Sequence, residues 1–269
     1  RHVASSAPQR VSFNIFGRAI GVCDPTQKIL PGILDCLPPG VSVSPWRGLD
    51  RIYQVTRNRC VASGSDLYQL MVGKQTILTS VEPERIVLGW QQDLEMDLSL
   101  HAPNKVFVHA GVVAYNGKAI VLPGKSGAGK STLVAALLNA GAAYYSDEFA
   151  VFRPDGQIVP YPRPLRLRSP VAASRPGHLN DLNAGTPRAS LPVRLIADLQ
   201  FSPASNWSWQ RISMGEAALA LLSHTSLSRV RPEFVLNTLQ QALPNAVCIR
   251  GSRGEATDAI DKLIELISE

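Results

Sequence analysis

Residues 124 to 131, Gly-Lys-Ser-Gly-Ala-Gly-Lys-Ser, match the phosphate-binding pattern G-x-x-x-x-G-K-[ST] at every fixed position. An apolar strand precedes the pattern and a helical segment follows it, which is the context that such a loop requires. Its glycines let successive backbone N–H groups turn toward phosphate oxygens, and the helix amino terminus adds partial positive charge. The pattern therefore predicts an α/β fold that binds a nucleoside triphosphate.

The residue types in this loop assign separate roles within a triphosphate site. We expect Lys130 to supply a point charge to the phosphates and the Ser131 hydroxyl to ligate Mg²⁺. The predicted contacts to ATP come from one continuous stretch: Gly124, Lys125, Ser126, Gly127, Ala128, Gly129, Lys130, Ser131 and Thr132.

An acidic pair, Asp147-Glu148, follows a short apolar strand just beyond the loop. Neighbouring strands of one sheet bring such ends together at the phosphate side, so the pair is a candidate for catalysis. Two mechanisms use these residue types. In an ATPase the Asp holds a metal and the Glu activates water, whereas in a kinase one carboxylate takes the proton of an acceptor hydroxyl.

The chain is predicted to contain two domains. Residues 1–100 alternate short strands with turn residues and end in an amphipathic helix from Pro83 to about Leu100, so we expect a small β-rich module plus a linking helix. Residues 101–269 hold the phosphate loop, which is predicted to follow a β-hairpin around Asn116-Gly117.

Regular elements are also predicted after the loop. A helix over 130–139 and a buried strand precede the acidic pair, and a second hairpin turns at 154–156. No element is predicted over 162–192. The sequence VRLIADLQF then indicates a strand, Ser213 and Glu216 a capping box, Pro232 a helix start, AVCIR a last strand and residues 260–267 a closing amphipathic helix.

Composition narrows the choice of partners and compartment. The net charge of +6 is spread over scattered arginines without a basic tract, so we expect no nucleic-acid partner. There is no long apolar run for a membrane span, and the four cysteines show neither metal-ligand spacing nor a disulfide framework. A cytoplasmic protein with reduced thiols is expected, and a homo-oligomer is left open.

The segment VHAGVVAYNGKAIVLPGKSGAGKSTLVAALLNAGAAYYSDEFAVF resembles the catalytic domain of HPr kinase/phosphorylase and its shorter relatives, such as the lasso-peptide tail kinases. The shared features are a Val-His strand, a hairpin, a loop of the type G-x-S-G-x-G-K-S and the acidic pair. The family is similar in fold to phosphoenolpyruvate carboxykinase. The resemblance thus implies an HPr-kinase-like P-loop domain in an ATP- and Mg²⁺-dependent kinase, with a hydroxyl-bearing peptide, protein or small molecule as acceptor.

The resemblance also implies roles for individual residues. Asp147 becomes the general base, Glu148 the metal-side carboxylate together with Ser131, and His109 a neighbour of the transferred phosphate. Arg194 becomes a phosphate contact, with Arg188 behind it. The bifunctional enzymes carry a run similar to E-I-R-I-P-V-R-P-G-R-N after the acidic pair. This chain lacks it, so phosphorylase activity is not expected. A P-loop ATPase or a nucleotide-binding regulatory module is the alternative.

Overall fold

The computed structural model describes residues 9–38, 41–59, 64–125, 127–163, 189–203 and 206–268. Its architecture is mixed α/β, and the chain divides into two compact units, Arg1–Pro103 and Asn104–Glu269. The predicted boundary lies between residues 100 and 101.

The first unit is built on a six-stranded sheet of order β3-β1-β2-β4-β5-β6. Among the described strand pairs of this sheet, β2–β4 is parallel and the others are antiparallel. Its strands are β1 Arg10–Ile15, β2 Arg18–Cys23, β3 Ser42–Val43, β4 Arg51–Arg59, β5 Asp66–Val72 and β6 Gln75–Ser80. Strands are therefore present where the sequence predicts them in this part of the chain.

In the described part of this unit, two helices accompany the sheet, α1 Leu30–Asp35 and α2 Pro83–His101. The predicted amphipathic helix is confirmed as α2, and its apolar residues Ile86, Trp90, Leu94 and Leu98 are all buried. Helix α1 was not predicted from the sequence. The Asp24 carboxylate accepts the Ile29 and Leu30 amide hydrogens, each at 2.8 Å, and this cap satisfies the free N–H groups that open a short helix.

The second unit contains an eight-stranded mixed sheet. Its main order is β11-β10-β7-β8-β12-β14-β13, and β9 pairs with β7 beside β10. The strands are β7 Val106–Tyr115, β8 Lys118–Pro123, β9 Ala143–Ser146, β10 Phe149–Phe152, β11 Ile158–Val159, β12 Val193–Phe201, β13 Ser208–Arg211 and β14 Val247–Arg253. Both predicted hairpins are confirmed, and β13 was not predicted.

Four α-helices of the described residues cover the two faces of this sheet: α3 Lys130–Asn139, α4 Met214–Ser223, α5 Pro232–Ala242 and α6 Ile260–Ser268. Helices α3 and α6 share one core cluster with Ile120 and Leu122 of β8, and α4 and α5 share another with Val121. Because successive strand residues point to opposite faces, the two clusters lie on opposite sides of the sheet. The predicted capping box at Ser213 and Glu216 opens α4.

Strand direction decides where a site can form. Strands β8, β12 and β14 run parallel, and β9 runs the same way because β9 and β8 are both antiparallel to β7. Their carboxyl ends therefore meet at one edge of the sheet, which is where ligands bind in open α/β sheets. The phosphate loop and the acidic pair both begin at this edge, immediately after Pro123 and Ser146.

Candidate functional site

The phosphate loop connects the end of β8 to the first residue of α3, as predicted. Gly127 and Gly129 have φ angles of 90° and 75°, a left-handed backbone that side chains with a Cβ rarely adopt. Lys125 and Gly127 are exposed, as is Thr132 in the first turn of the helix. Ser126 lies outside the described residues. The loop thus presents a helix amino terminus toward solvent, an arrangement that favours phosphate binding.

The Lys130 side chain is folded back into its own loop and is only 9% exposed. Its Nζ donates to the Gly124 carbonyl oxygen at 2.8 Å and the Lys125 carbonyl oxygen at 3.0 Å, and it lies 3.0 Å from His109 Nε2. An ammonium group can only donate, so His109 Nε2 is the acceptor and the ring proton resides on Nδ1. The lysine is therefore tied to β7 as well as to the loop.

That Nδ1 proton faces Glu148. The distance from His109 Nδ1 to Glu148 Oε1 is 3.2 Å, and Arg163 Nη2 lies 3.8 Å from the other carboxylate oxygen. Burial opposes ionisation of Glu148, but the hydrogen bond from His109 and the charges of Arg163 and Lys130 together outweigh burial and lower its pKa. Glu148 is thus a stable carboxylate that links His109 to Arg163.

Asp147 lies in a different environment although it is the adjacent residue. Its side chain accepts the Tyr144 hydroxyl at 2.9 Å and the Ser131 hydroxyl at 3.2 Å, and the residue is only 4% exposed. Burial raises the pKa of Asp147 and the negative charge of Glu148 adds to this, while Arg163, Tyr144 and Ser131 act in the opposite direction. The two neighbouring carboxyl groups therefore differ in proton affinity, with Asp147 the stronger base.

Strand β7 brings these groups together. On one side Ala110 pairs with Pro123, the last residue before the phosphate loop. On the other side the Ala110 amide donates to the Glu148 carbonyl oxygen at 3.1 Å, between the stretches of β7 that pair with β9 and β10. His109 precedes Ala110, so one short segment of β7 fixes the spacing of the histidine, the loop and the acidic pair.

Two of the predicted residues do not join this cluster. Arg194 lies at the amino end of β12, next to the Val193–Ala119 pair, and it donates to the Asn245 carbonyl oxygen at 2.8 Å. The amino ends of parallel strands form the edge opposite the phosphate loop, so this position does not fit the phosphate contact that we expected. Arg188 lies outside the described residues.

Four residues at the site were not found from the sequence: Tyr144, Arg163, His224 and Arg253. The His224 carbonyl oxygen accepts the His109 amide hydrogen at 2.8 Å, and Arg253 Nη2 donates to the Gly129 carbonyl oxygen at 2.9 Å. Tyr144 stands three residues before Asp147 in a strand already predicted as buried, which is the one signal that the sequence offered. The other three arrive from distant segments without any motif.

The geometry also bears on where a metal ion could bind. The Ser131 hydroxyl oxygen lies beside Asp147 Oδ2, whereas the contacts of Glu148 are His109 and Arg163. Ser131 and Asp147 therefore form the oxygen pair that fits Mg²⁺ most directly, a change from the expected pairing of Ser131 with Glu148. No group of three or more His, Cys, Asp or Glu suited to a metal occurs among the described residues. Mg²⁺ commonly uses one or two protein oxygens and completes its shell with phosphates and water.

No protein-family model matches the chain, and no curated protein matches it in sequence.

None of the helices in the described part of the chain combines the length and the apolar character that a membrane-spanning helix needs.

Because the pKa of Asp147 is raised in the folded protein, its contribution to the free energy of unfolding depends on pH. Between its ordinary value of 3.8 and its higher folded value, the native state binds more protons than the unfolded state. Stability contributed by Asp147 is therefore lost as pH rises through this window. We expect Asp147→Asn to increase the free energy of unfolding at pH 7, with a gain that shrinks as pH falls toward 4. Urea unfolding at both pH values measures it.

Glu265→Gln, at an exposed position of α6, is the matched control and should show no comparable gain at pH 7. A gain of equal size for Asp147→Asn at both pH values would contradict the assignment of the effect to ionisation of Asp147.

Proposed function

We propose that the chain is an ATP- and Mg²⁺-dependent kinase that transfers the γ-phosphate to a hydroxyl group of a peptide, a protein or a small molecule. The observation that carries the proposal is the convergence of Lys130, His109 and the pair Asp147-Glu148 on one edge of the sheet. A phosphate-binding loop with its lysine and a carboxylate placed to take a proton are groups that such a transfer uses.

In the proposed reaction the phosphates lie against the loop amides and the amino end of α3, and Lys130 supplies positive charge. Asp147 takes the proton of the acceptor hydroxyl as its oxygen bonds to the γ-phosphorus. The bond from that phosphorus to the bridging oxygen breaks, and ADP leaves. The raised pKa of Asp147 supports this role because a carboxylate of higher proton affinity is a more effective base near neutral pH.

His109 is proposed to position Lys130 and to face the transferred phosphate. Its two ring nitrogens connect Lys130 to Glu148, so the histidine holds the ammonium group on the side of the acidic pair. Glu148 in turn fixes the ring tautomer by accepting a hydrogen bond from the Nδ1–H group.

Mg²⁺, when bound, would neutralise part of the phosphate charge. Ser131 and Asp147 are the protein oxygens that would hold it, with Glu148 as the further carboxylate nearby. Asp147 is thus suited both to taking a proton and to binding the metal, two roles that substitutions at Asp147 and Glu148 distinguish.

We further propose that residues 101–269 form an HPr-kinase-like domain with a phosphoenolpyruvate-carboxykinase-like P-loop fold. Two features support this proposal. The phosphate loop, His109 and the acidic pair follow the pattern of that family, and the strand directions place them at one edge of the sheet. The β-rich module before this domain resembles the shorter relatives, which favours a peptide hydroxyl as acceptor.

One observation favours the alternative, a P-loop ATPase or nucleotide-binding regulatory module. The contact between Ser131 and Asp147 is also what a metal-binding aspartate would make, with Glu148 next to it to activate water. Incubation with γ-labelled ATP in single-turnover amounts, with and without serine-containing peptides, distinguishes the two. Label transferred to a peptide hydroxyl supports the kinase. Release of inorganic phosphate alone, at a rate that no acceptor changes, contradicts it.

The contacts of His109 predict a kinetic effect larger than the binding effect. We expect His109→Ala to slow phosphate transfer by roughly 10²-fold, because the ring nitrogen that positions the Lys130 ammonium group is lost and a small misplacement of a catalytic group can cost that much. ATP affinity should change much less, since the loop amides and Lys130 remain. Single-turnover rates and calorimetric titration with ATP measure the two quantities.

His101→Ala, at a side chain that is 55% exposed on α2, serves as the control and should leave both quantities unchanged. Equal losses of transfer rate and melting temperature in His109→Ala would instead assign the histidine a purely structural role.

A further inference from the structure

Beside the phosphate loop lies a cavity of about 360 Å³. Its polar and aromatic lining includes Asn206, Trp207, Arg253, Glu255, Asp258 and Lys262, and we call it the edge cavity. These residues come from the segment before β13, from the last residue of β14, from the connection that follows β14 and from the first turn of α6. The cavity therefore lies at the carboxyl edge of the parallel strands, on the opposite side of β8 from the acidic pair.

Arg253 connects the edge cavity to the phosphate loop. Its Nη2 donates to the Gly129 carbonyl oxygen at 2.9 Å, and a Cβ placed on Gly129 would lie only 2.5 Å from this nitrogen. Gly129 immediately precedes Lys130, so the guanidinium touches the loop at the first turn of α3. The absence of a side chain at Gly129 is what permits this approach.

The Arg253 guanidinium is almost completely buried, at 2% exposure, and its partners are mostly neutral. It donates to the carbonyl oxygens of Gly129 and Gly254 and lies over the Phe201 ring at 5.2 Å. Its Nε has no hydrogen-bond acceptor among the described residues. Burying an arginine with so little compensation is costly, and a bound polyphosphate next to Gly129 would offset that cost.

The rest of the lining suits an uncharged polar ring system. Two cations, Arg253 and Lys262, face two carboxylates, Glu255 and Asp258, so the lining has no net charge that would attract a further phosphate. Trp207 offers a half-buried aromatic surface, with Lys262 Nζ 5.5 Å from its ring. Aromatic rings stack with nucleobases, and carboxylates accept hydrogen bonds from ribose hydroxyls and exocyclic amines.

We infer that the edge cavity holds the nucleoside half of the triphosphate, with Trp207 as a base contact and Arg253 as the positioning residue between nucleoside and phosphate loop. This inference rests on the proposed function, because it takes the loop to bind a nucleotide. The cavity volume falls within the range of pockets for small organic ligands, and the phosphates would lie outside it along the loop.

Calorimetric titrations with Mg²⁺-ATP and with Mg²⁺-tripolyphosphate test the inference, since the second ligand has the phosphates but no nucleoside. We expect Trp207→Ala to weaken ATP binding about tenfold, the usual worth of one base–aromatic contact, and to leave tripolyphosphate binding within about twofold. Trp209→Ala is the matched control. Trp209 lies two residues away in β13, outside the cavity lining, and its replacement should change neither affinity.

An equal loss of affinity for both ligands in Trp207→Ala, or no loss for either, would overturn the inference. Because Trp207 also packs against the core, a second measurement uses the unaltered chain. Photolysis with 8-azido-ATP should label the segments 206–207 or 253–262, and labelling confined to other segments would again overturn it. Neither measurement depends on phosphate transfer, so a chain that discriminates ATP through Trp207 but transfers nothing would contradict the kinase and not the cavity.

Discussion

Replacing Lys130 by alanine is expected to lower phosphate transfer by about 10²- to 10³-fold and to weaken ATP binding strongly. The ammonium group is the cation at the centre of the loop, and it also holds the Gly124 and Lys125 carbonyl oxygens inward. Its removal takes away the charge that faces the phosphates and frees the loop to change shape. Titration with Mg²⁺-ATP and a single-turnover assay measure the two effects.

Lys118→Ala is the matched control, because Lys118 begins β8 at the end of the strand away from the loop. Its replacement should leave both quantities unchanged. Circular dichroism and thermal unfolding establish whether Lys130→Ala is folded. A folded Lys130→Ala chain that binds ATP and transfers phosphate normally would contradict the loop assignment.

Short-range patterns were sufficient to predict most of the regular elements near the site. The hairpin at Asn116-Gly117, helix α3 and strand β9 all follow from local turn chemistry and from hydrophobic periodicity. These signals act between residues close in the chain, so a single sequence contains them. The approach of the acidic pair to the loop could be predicted as well, because strand direction determines which strand ends share an edge.

The long-range partners could not be predicted in the same way. Arg163 reaches Glu148 from beyond a hairpin, and Arg253 reaches Gly129 from a strand 124 positions later in the chain. Neither arginine belongs to a recognisable spacing. For Arg194 the prediction and the structure differ. The resemblance implied a phosphate contact, whereas the register of β12 places Arg194 at the edge of the sheet opposite the phosphate loop. Helix α1 was missed because its cap, Asp24, lies six residues before its first turn.

The second large effect is expected from replacing Asp147, whose proton affinity is higher than that of Glu148. We expect Asp147→Asn to reduce transfer to a hydroxyl acceptor by about 10²- to 10⁴-fold, the usual worth of general base catalysis. The amide keeps the side-chain shape and can still meet the Tyr144 and Ser131 hydroxyls, but it cannot take a proton. Affinity for ATP measured without Mg²⁺ should survive or rise, because a negative charge next to the phosphates is removed.

Glu148→Gln is the matched control for this experiment, since it also replaces a carboxylate by an amide at the adjacent residue. It leaves Ser131 and Asp147 intact but removes the charge of the further carboxylate near them, so we expect it chiefly to raise the Mg²⁺ concentration needed for transfer. Should Asp147→Asn instead show the shifted Mg²⁺ dependence with transfer restored at high Mg²⁺, its contact with Ser131 would reflect metal binding and Asp147 would not be the base. Should Asp147→Asn transfer phosphate at the unaltered rate while Glu148→Gln loses only ATP hydrolysis by water, the pair would serve an ATPase, and the proposed kinase would be wrong.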